Sequence, residues 1–152
     1  MRASAGFGFF LLFLAGIALV SFMSLRGSAN AVPTPEELTA SAWRPLNIGE
    51  MNVDSDSVMF VQFEADGQLT GHGGCNNFFS RYRLEEDKIH VDPIGVTRRS
   101  CEPAVMSMEK SFVESLQLAT NIRGVGKRMA MRDDQGRASL RFVAIERKAE
   151  QQ

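Results

Sequence analysis

Alternating apolar and polar positions after residue 40 predict a series of short β-strands. Residues 58–64 carry apolar side chains on both faces, which is typical of a well-covered strand. Asp66-Gly67 follows this run and indicates a tight hairpin turn before the next strand. Further strands are predicted around Trp43 and Met129 and at residues 69–73, 79–84, 88–91, 94–97 and 139–145.

One amphipathic helix is predicted late in the chain. Pro103 marks its start, because proline is tolerated at the first helical position. Apolar residues then recur every three or four positions and form one stripe, at Val105, Met108, Phe112, Leu116 and Ala119. A run of strands with a single late helix predicts an α+β fold, in which a small antiparallel β-sheet carries this main helix packed on one face.

The first 31 residues differ from the rest of the chain. Residues 6–25 are almost wholly apolar, Arg2 precedes them, and Ala29-Asn30-Ala31 places small residues at a cleavage site. These features predict a secretory signal peptide. The length of the apolar run also fits an uncleaved inner-membrane anchor, which Arg2 would orient with its amino terminus inside. By either route we expect export to the periplasm or cell envelope.

The remaining chain divides into three parts. Pro33 and Pro35 mark residues 32–39 as a linker, although residues 36–42 also fit a short helical turn. Residues 40–147 form the predicted domain, and residues 148–152 form a C-terminal tail. A domain of this size can bury a core of its own, so we expect a monomer.

Composition excludes several classes of protein. The 17 Lys and Arg residues balance 18 Asp and Glu residues, which excludes a protein that coats nucleic acid through a basic surface. A hydrophobic fraction of 44% indicates a globular rather than a disordered chain. Two cysteines are too few for a disulfide-dense scaffold or a four-thiolate zinc site.

Cys75 and Cys101 are the main candidates for chemistry. In an exported chain they are expected to form a structural disulfide that ties the turn before Asn76 to the start of the helix. The alternative is a reactive thiol, because Cys101 lies near the predicted start of the helix and beside Arg98 and Arg99, and both features lower a thiol pKa.

The other polar motifs indicate structure rather than catalysis. His72 and His90 match no standard zinc spacing, so we expect no metal and no cofactor. Gly71 and Gly74 favour a bulged turn over a phosphate-binding loop, because no Lys-Ser/Thr follows them. The chain also has no Gly-x-Ser-x-Gly elbow. We therefore expect a protein that is not an enzyme.

The stretch from Asp66 to Phe78, with Tyr82 after it, resembles the signature of the META/HslJ-like domain family. That signature reads D-G-x-x-x-G-x-x-G-C-N-x-F-x-x-x-Y and is followed downstream by Thr-x-x-x-Cys. The motif positions in this chain are Gly71, Gly74, Cys75, Asn76, Tyr82, Thr97 and Cys101. The resemblance covers about residues 40–146, and it extends to Met108-Glu109 and Phe112 in the predicted helix.

The resemblance implies an envelope-associated, non-catalytic domain that is related to stress or drug resistance and acts by binding an envelope protein or a small ligand. Members of the family look like outer-membrane lipoproteins or heat-inducible envelope proteins linked with novobiocin resistance. This chain lacks a lipidation cysteine in its leader, and it has Ser80 and Arg99-Ser100 where the family commonly has Gly and Met-Ala. Contact with a membrane would therefore require an uncleaved leader.

Two other functions remain open at this point. A thiol-redox or metal-handling envelope protein would use Cys75 and Cys101, with His72 as a further ligand. A secreted inhibitor would present residues 72–78 as a rigid loop to a target enzyme.

Overall fold

The computed structural model describes residues 31–147. The described chain contains ten strands and two helices. The strands are β1 (Ala42–Ile48), β2 (Met51–Asn52), β3 (Phe60–Phe63), β4 (Gln68–His72), β5 (Asn77–Glu85), β6 (Lys88–Val91), β7 (Gly95–Val96), β8 (Asn121–Val125), β9 (Arg128–Arg132) and β10 (Ser139–Ile145). The helices are α1 (Pro35–Thr39) and α2 (Pro103–Leu118). The predicted leader, apart from Ala31, and the predicted tail lie outside the described residues.

Eight of the strands form a closed antiparallel barrel. Their order around the ring is β1, β3, β4, β5, β6, β8, β9 and β10, and the ring closes because β10 pairs with β1. That pairing runs from Ala42 opposite Ile145 to Ile48 opposite Leu140. Strands β2 and β7 are additions that pair with β1 and β5. Closure leaves the eight strands without an open sheet edge.

The predicted α+β fold, a small sheet with one helix packed on its face, is therefore wrong. The described chain is mostly β, and its sheet is curled into a barrel rather than open on one side. The helix α2 contacts β1, β6, β9 and β10, which lie on different sides of the ring. A helix on one outer face could not reach all of them, so α2 covers an end of the barrel.

The core is formed by the inward residues of the barrel and by the apolar stripe of α2. The Phe112 ring lies between Phe78 of β5 and Phe142 of β10, with ring centroids 5.7 and 6.2 Å away. Leu116, one turn further along the helix, is also fully buried. The predicted stripe is confirmed at Met108, Phe112, Leu116 and Ala119, which pack in or against the core, whereas Val105 is 36% exposed. The stripe faces the inside of a barrel.

The structure explains two features of the sequence, the Asp66-Gly67 turn and the glycine at position 71. The turn between β3 and β4 contains Asp66, whose Oδ1 accepts a hydrogen bond from the backbone N–H of Gln68 at 3.0 Å, which confirms the predicted hairpin. Gly71 lies in β4 opposite Phe78. A Cβ at Gly71 would overlap both the Phe78 ring and the Phe60 carbonyl oxygen, so only glycine fits this position.

Candidate functional site

The loop between β4 and β5 contains the centre of the sequence motif. The backbone N–H of Gly73 donates to the Asn76 carbonyl oxygen at 2.8 Å and closes the loop. Gly74 has a φ of +114°, a conformation that side-chain-bearing residues rarely adopt. Cys75 and Asn76, which follow it, are buried at 3% and 2% exposure. The loop is thus a compact part of the fold rather than a free surface loop.

A buried carboxylate on α2 holds this loop. Glu109 is 5% exposed, and its Oε2 accepts hydrogen bonds from the backbone N–H groups of Cys75 at 3.0 Å and Asn76 at 2.6 Å. Its Oε1 accepts a third hydrogen bond from the Asn76 amide nitrogen at 2.8 Å. Hydrogen bonds to a charged acceptor are about twice as strong as neutral ones. Glu109 therefore joins the helix to the loop through three such bonds.

The side chain of Asn76 extends the network to the segment before the helix. Its Oδ1 accepts hydrogen bonds from the Thr97 hydroxyl at 2.9 Å and from the Arg99 N–H at 2.6 Å. The Thr97 oxygen in turn accepts a bond from the Asn77 N–H at 3.2 Å. Asn76 thus connects β5, the segment around Thr97 and the buried Glu109.

The structure joins Cys75 and Cys101 in a disulfide with a Cα–Cα distance of 6.0 Å. Cys75 is buried in the loop, whereas Cys101 is exposed just before the first residue of α2. Glu109 therefore links the loop to α2, and the disulfide links the same loop to the segment that leads into α2. Because both sulfurs are in this bond, the described cysteines include no free thiol.

His72 lies at the edge of the network. Its Nδ1 accepts a hydrogen bond from the Gly74 N–H at 3.1 Å, which places the ring proton on Nε2. Burial lowers the pKa of His72, an effect that nearby Glu109 opposes and Arg99 reinforces. The ring is therefore neutral near pH 7 and supports the turn as an acceptor.

The structure brings together no metal site around the histidines. His90 lies on β6, where it is exposed and its Nε2 is 3.6 Å from the Asp92 carboxylate. Within residues 31–147, no three His, Cys, Asp or Glu side chains are grouped so that they could hold a metal ion. The same part of the chain has no helix long and apolar enough to span a membrane.

Tyr82 belongs to a different part of the fold. Its hydroxyl donates to the Glu64 carbonyl oxygen at 2.8 Å, and its ring packs edge-on against Phe63 with a centroid distance of 5.0 Å. Burial, and then the charges of Glu64 and Asp66, raise the pKa of the Tyr82 hydroxyl. Tyr82 therefore fastens the β3–β4 hairpin, whereas Asn76, Thr97 and the cysteines form the network on α2.

The principal residue that the sequence analysis did not assign a role is Glu109. Its position carried a signal, because it lies four residues after Val105 and three before Phe112 and so falls within the apolar stripe. A carboxylate on the buried face of a helix requires hydrogen-bond donors. The loop backbone supplies two of them, and the Asn76 amide supplies the third.

The family model of the META domain matches residues 36–146. The chain belongs to the META domain family. The match confirms the resemblance based on the motif around Cys75. A search of curated proteins found no match.

Three solved structures share the fold of this META domain at low sequence identity. The NMR structure of a protein from Burkholderia xenovorans has 18% identity and a TM-score of 0.62, and the alignment covers 82% of this chain and 96% of that one. A second NMR structure has 18% identity, a TM-score of 0.60 and coverages of 73% and 94%. The crystal structure of a duf4847 family protein from Bacteroides vulgatus ATCC 8482 has 13% identity, a TM-score of 0.55 and coverages of 76% and 100%.

Proposed function

We propose that this META domain is an exported, non-catalytic binding module of the cell envelope. The observation that supports a non-catalytic role is that the polar and cysteine side chains of the network are already bonded within the fold. The carboxylate of Glu109 accepts three hydrogen bonds. The Asn76 side chain donates one of them and accepts a hydrogen bond from the Arg99 N–H. Both cysteine sulfurs are in one disulfide. Groups engaged in this way hold a surface in place and are not available for acid–base or nucleophilic chemistry.

Export is supported by two independent features. The leader pattern of residues 1–31 is typical of a signal peptide or membrane anchor. The disulfide between Cys75 and Cys101 would form and persist in an oxidising compartment, whereas cytosolic thiols are kept reduced. A role in stress or drug resistance comes from the family resemblance and remains part of the proposal.

The intact mass of the protein purified from the envelope fraction tests export and oxidation together. After alkylation under denaturing conditions, we expect a mass that begins at Val32, lacks two hydrogens and carries no alkyl group. A full-length mass with the disulfide intact would support the anchored form of the same proposal. A full-length protein in the cytosolic fraction with two alkylated cysteines would contradict export.

The surface most suited to a partner lies beside the network. Phe79 is 60% exposed on β5, and it lies opposite Gly95 of the neighbouring strand β7. The Phe79 ring lies over Gly95, so its position is set by the strand pairing rather than by a mobile loop. Exposed aromatic side chains on a rigid base are common contact residues in protein interfaces. We therefore assign the partner-binding role to the surface around Phe79 and Gly95.

Photo-crosslinking in intact cells tests this assignment. A benzoylphenylalanine in place of Phe79 keeps an aromatic group on the proposed surface and should give a discrete adduct with an envelope protein. The matched control is the same substitution at Arg141, which is exposed on β10. Three strands separate β5 from β10 in both directions around the ring, so the control faces the opposite side. Adducts of equal yield at both positions, or none at position 79, would contradict the proposed surface.

A further inference from the structure

A polar cavity of about 400 Å³ is lined by residues outside the Glu109 network. It is bounded by β1, by the loop between β2 and β3, and by the end of β10. Its polar lining consists of Arg44, Ser55, Asp56, Ser57, Glu146 and Arg147. A cavity of this volume falls within the usual range for small-molecule sites, about 300–1,000 Å³.

Arg44 is the unusual group in this cavity. It follows the buried Trp43 on β1, so its side chain leaves the barrel on the outer side. One terminal nitrogen, Nη1, donates to the Ser55 carbonyl oxygen. The Nε–H is buried, and nothing in residues 31–147 accepts a hydrogen bond from it. No carboxylate in that part of the chain forms an ion pair with this guanidinium.

Arg147, the second arginine of the cavity, differs from Arg44 because its charge is paired within the fold. Arg147 directs Nη2 at both carboxylate oxygens of Glu64, and its Nη1 donates to the Thr39 carbonyl oxygen. Its charge and its donors are therefore used within the fold. Arg44 has the same donor set, but a single backbone carbonyl accepts from it among the described residues. Buried polar groups of this kind are nearly always satisfied by protein, water or ligand.

The hydroxyl groups of the cavity can add to a site on Arg44. The Ser57 oxygen accepts a hydrogen bond from the Met59 N–H at 3.3 Å, which leaves its own hydroxyl hydrogen available to a ligand. Asp56 and Glu146 are exposed and also line the cavity. Their two negative charges disfavour a dianion such as phosphate but tolerate a single negative charge placed directly on a guanidinium.

We propose that this cavity binds a small ligand through one carboxylate group. The Nε–H of Arg44 has almost no accessible surface without a ligand, so the side chain shifts on binding. The carboxylate then accepts hydrogen bonds from the Nε–H and the Nη2–H, the paired geometry that a guanidinium offers to planar oxygen pairs. The Ser57 hydroxyl donates to the same group. Asp56 and Glu146 restrict the site to monoanions and favour ligands that also carry a cationic group. This site shares no residue with the surface around Phe79 and Gly95, so either proposal can fail without the other.

The test is an NMR titration that follows the side-chain Nε–H resonance of Arg44 in the full folded domain. The probes are acetate, alanine and inorganic phosphate at constant ionic strength, at a pH where phosphate is mainly dianionic. We expect saturable shifts with acetate and with alanine, with a Kd on the order of 1 mM or below. Phosphate should bind at least about tenfold more weakly.

Two variants and two outcomes decide the result. Arg44→Gln should abolish the saturable shifts, followed there through the Ser57 and Met59 backbone amides. The matched control Arg141→Gln removes an exposed arginine outside the cavity and should leave the titration unchanged. An Nε–H resonance that moves with none of the three probes would overturn the site. Phosphate binding as tight as acetate binding would overturn the carboxylate assignment.

Discussion

Replacing Glu109 by alanine is expected to lower the free energy of unfolding by about 3–5 kcal/mol, one of the two largest effects expected for this domain. The substitution leaves the N–H groups of Cys75 and Asn76 without their acceptor, together with the Asn76 amide. These donors are buried, so water cannot replace the carboxylate without opening the loop. Urea unfolding should show a lower midpoint with an unchanged slope, because the folded state buries the same surface.

The control for this prediction is Glu114→Ala on the same helix. Glu114 is exposed and forms a surface pair with Lys110 at 3.7 Å, so its removal should change stability by no more than about 0.5 kcal/mol. Glu109→Gln should fall between the two, because it keeps one acceptor oxygen but places an amide donor against other donors. A midpoint for Glu109→Ala equal to that of Glu114→Ala would show that the carboxylate does not hold the loop.

The local parts of the fold could be predicted from the sequence because their signals lie within a few residues of each other. Asp66 caps its own turn, and Pro103 begins α2, as the pattern indicates. Barrel closure has no such signal. It depends on Ala42 meeting Ile145 across almost the whole domain, and a strand pattern says which residues face inward but not which strand is its neighbour.

Strand β8 was missed for a related reason. Asn121–Val125 alternates Ile122 with Arg123 but also contains Gly124, a residue that weakens the strand signal. Its place is set by tertiary pairing, because the Ile122 N–H donates to the Asp87 carbonyl oxygen and the Ile89 N–H to that of Thr120. These contacts join β6 to β8 and complete the ring.

The motif residues of the site could be predicted from the sequence, but the role of Glu109, which joins them, could not. The motif names Cys75, Asn76 and Thr97, and the structure places all three within one hydrogen-bonded and disulfide-linked unit. Glu109, which organises that unit, lies more than thirty residues after Cys75 and Asn76 in the chain. Arg44 has no sequence motif, because the unpartnered Nε–H that singles it out follows from the tertiary fold around it.

Removing the disulfide by the double variant Cys75→Ala/Cys101→Ser is expected to lower the free energy of unfolding by about 3–4 kcal/mol. The bond closes a loop with a sequence separation of 26 residues, so its loss gives the unfolded chain more conformational freedom. The double variant leaves no free thiol that could pair between molecules. Urea unfolding of the variant, compared with the wild type with and without reductant, measures the effect. A midpoint equal to that of the oxidised wild type would contradict the prediction.

Combining this variant with Glu109→Ala shows whether the disulfide and the Glu109 hydrogen bonds act as one unit. Both hold the β4–β5 loop, the carboxylate on α2 through the Cys75 N–H and the disulfide on the preceding segment through Cys101. Once the loop has detached, the second loss removes little that is still formed. The combined cost should therefore fall short of the sum of the separate costs by about 0.5–3 kcal/mol. If the changes in the free energy of unfolding add fully, the disulfide and Glu109 hold the loop independently and do not act as one unit.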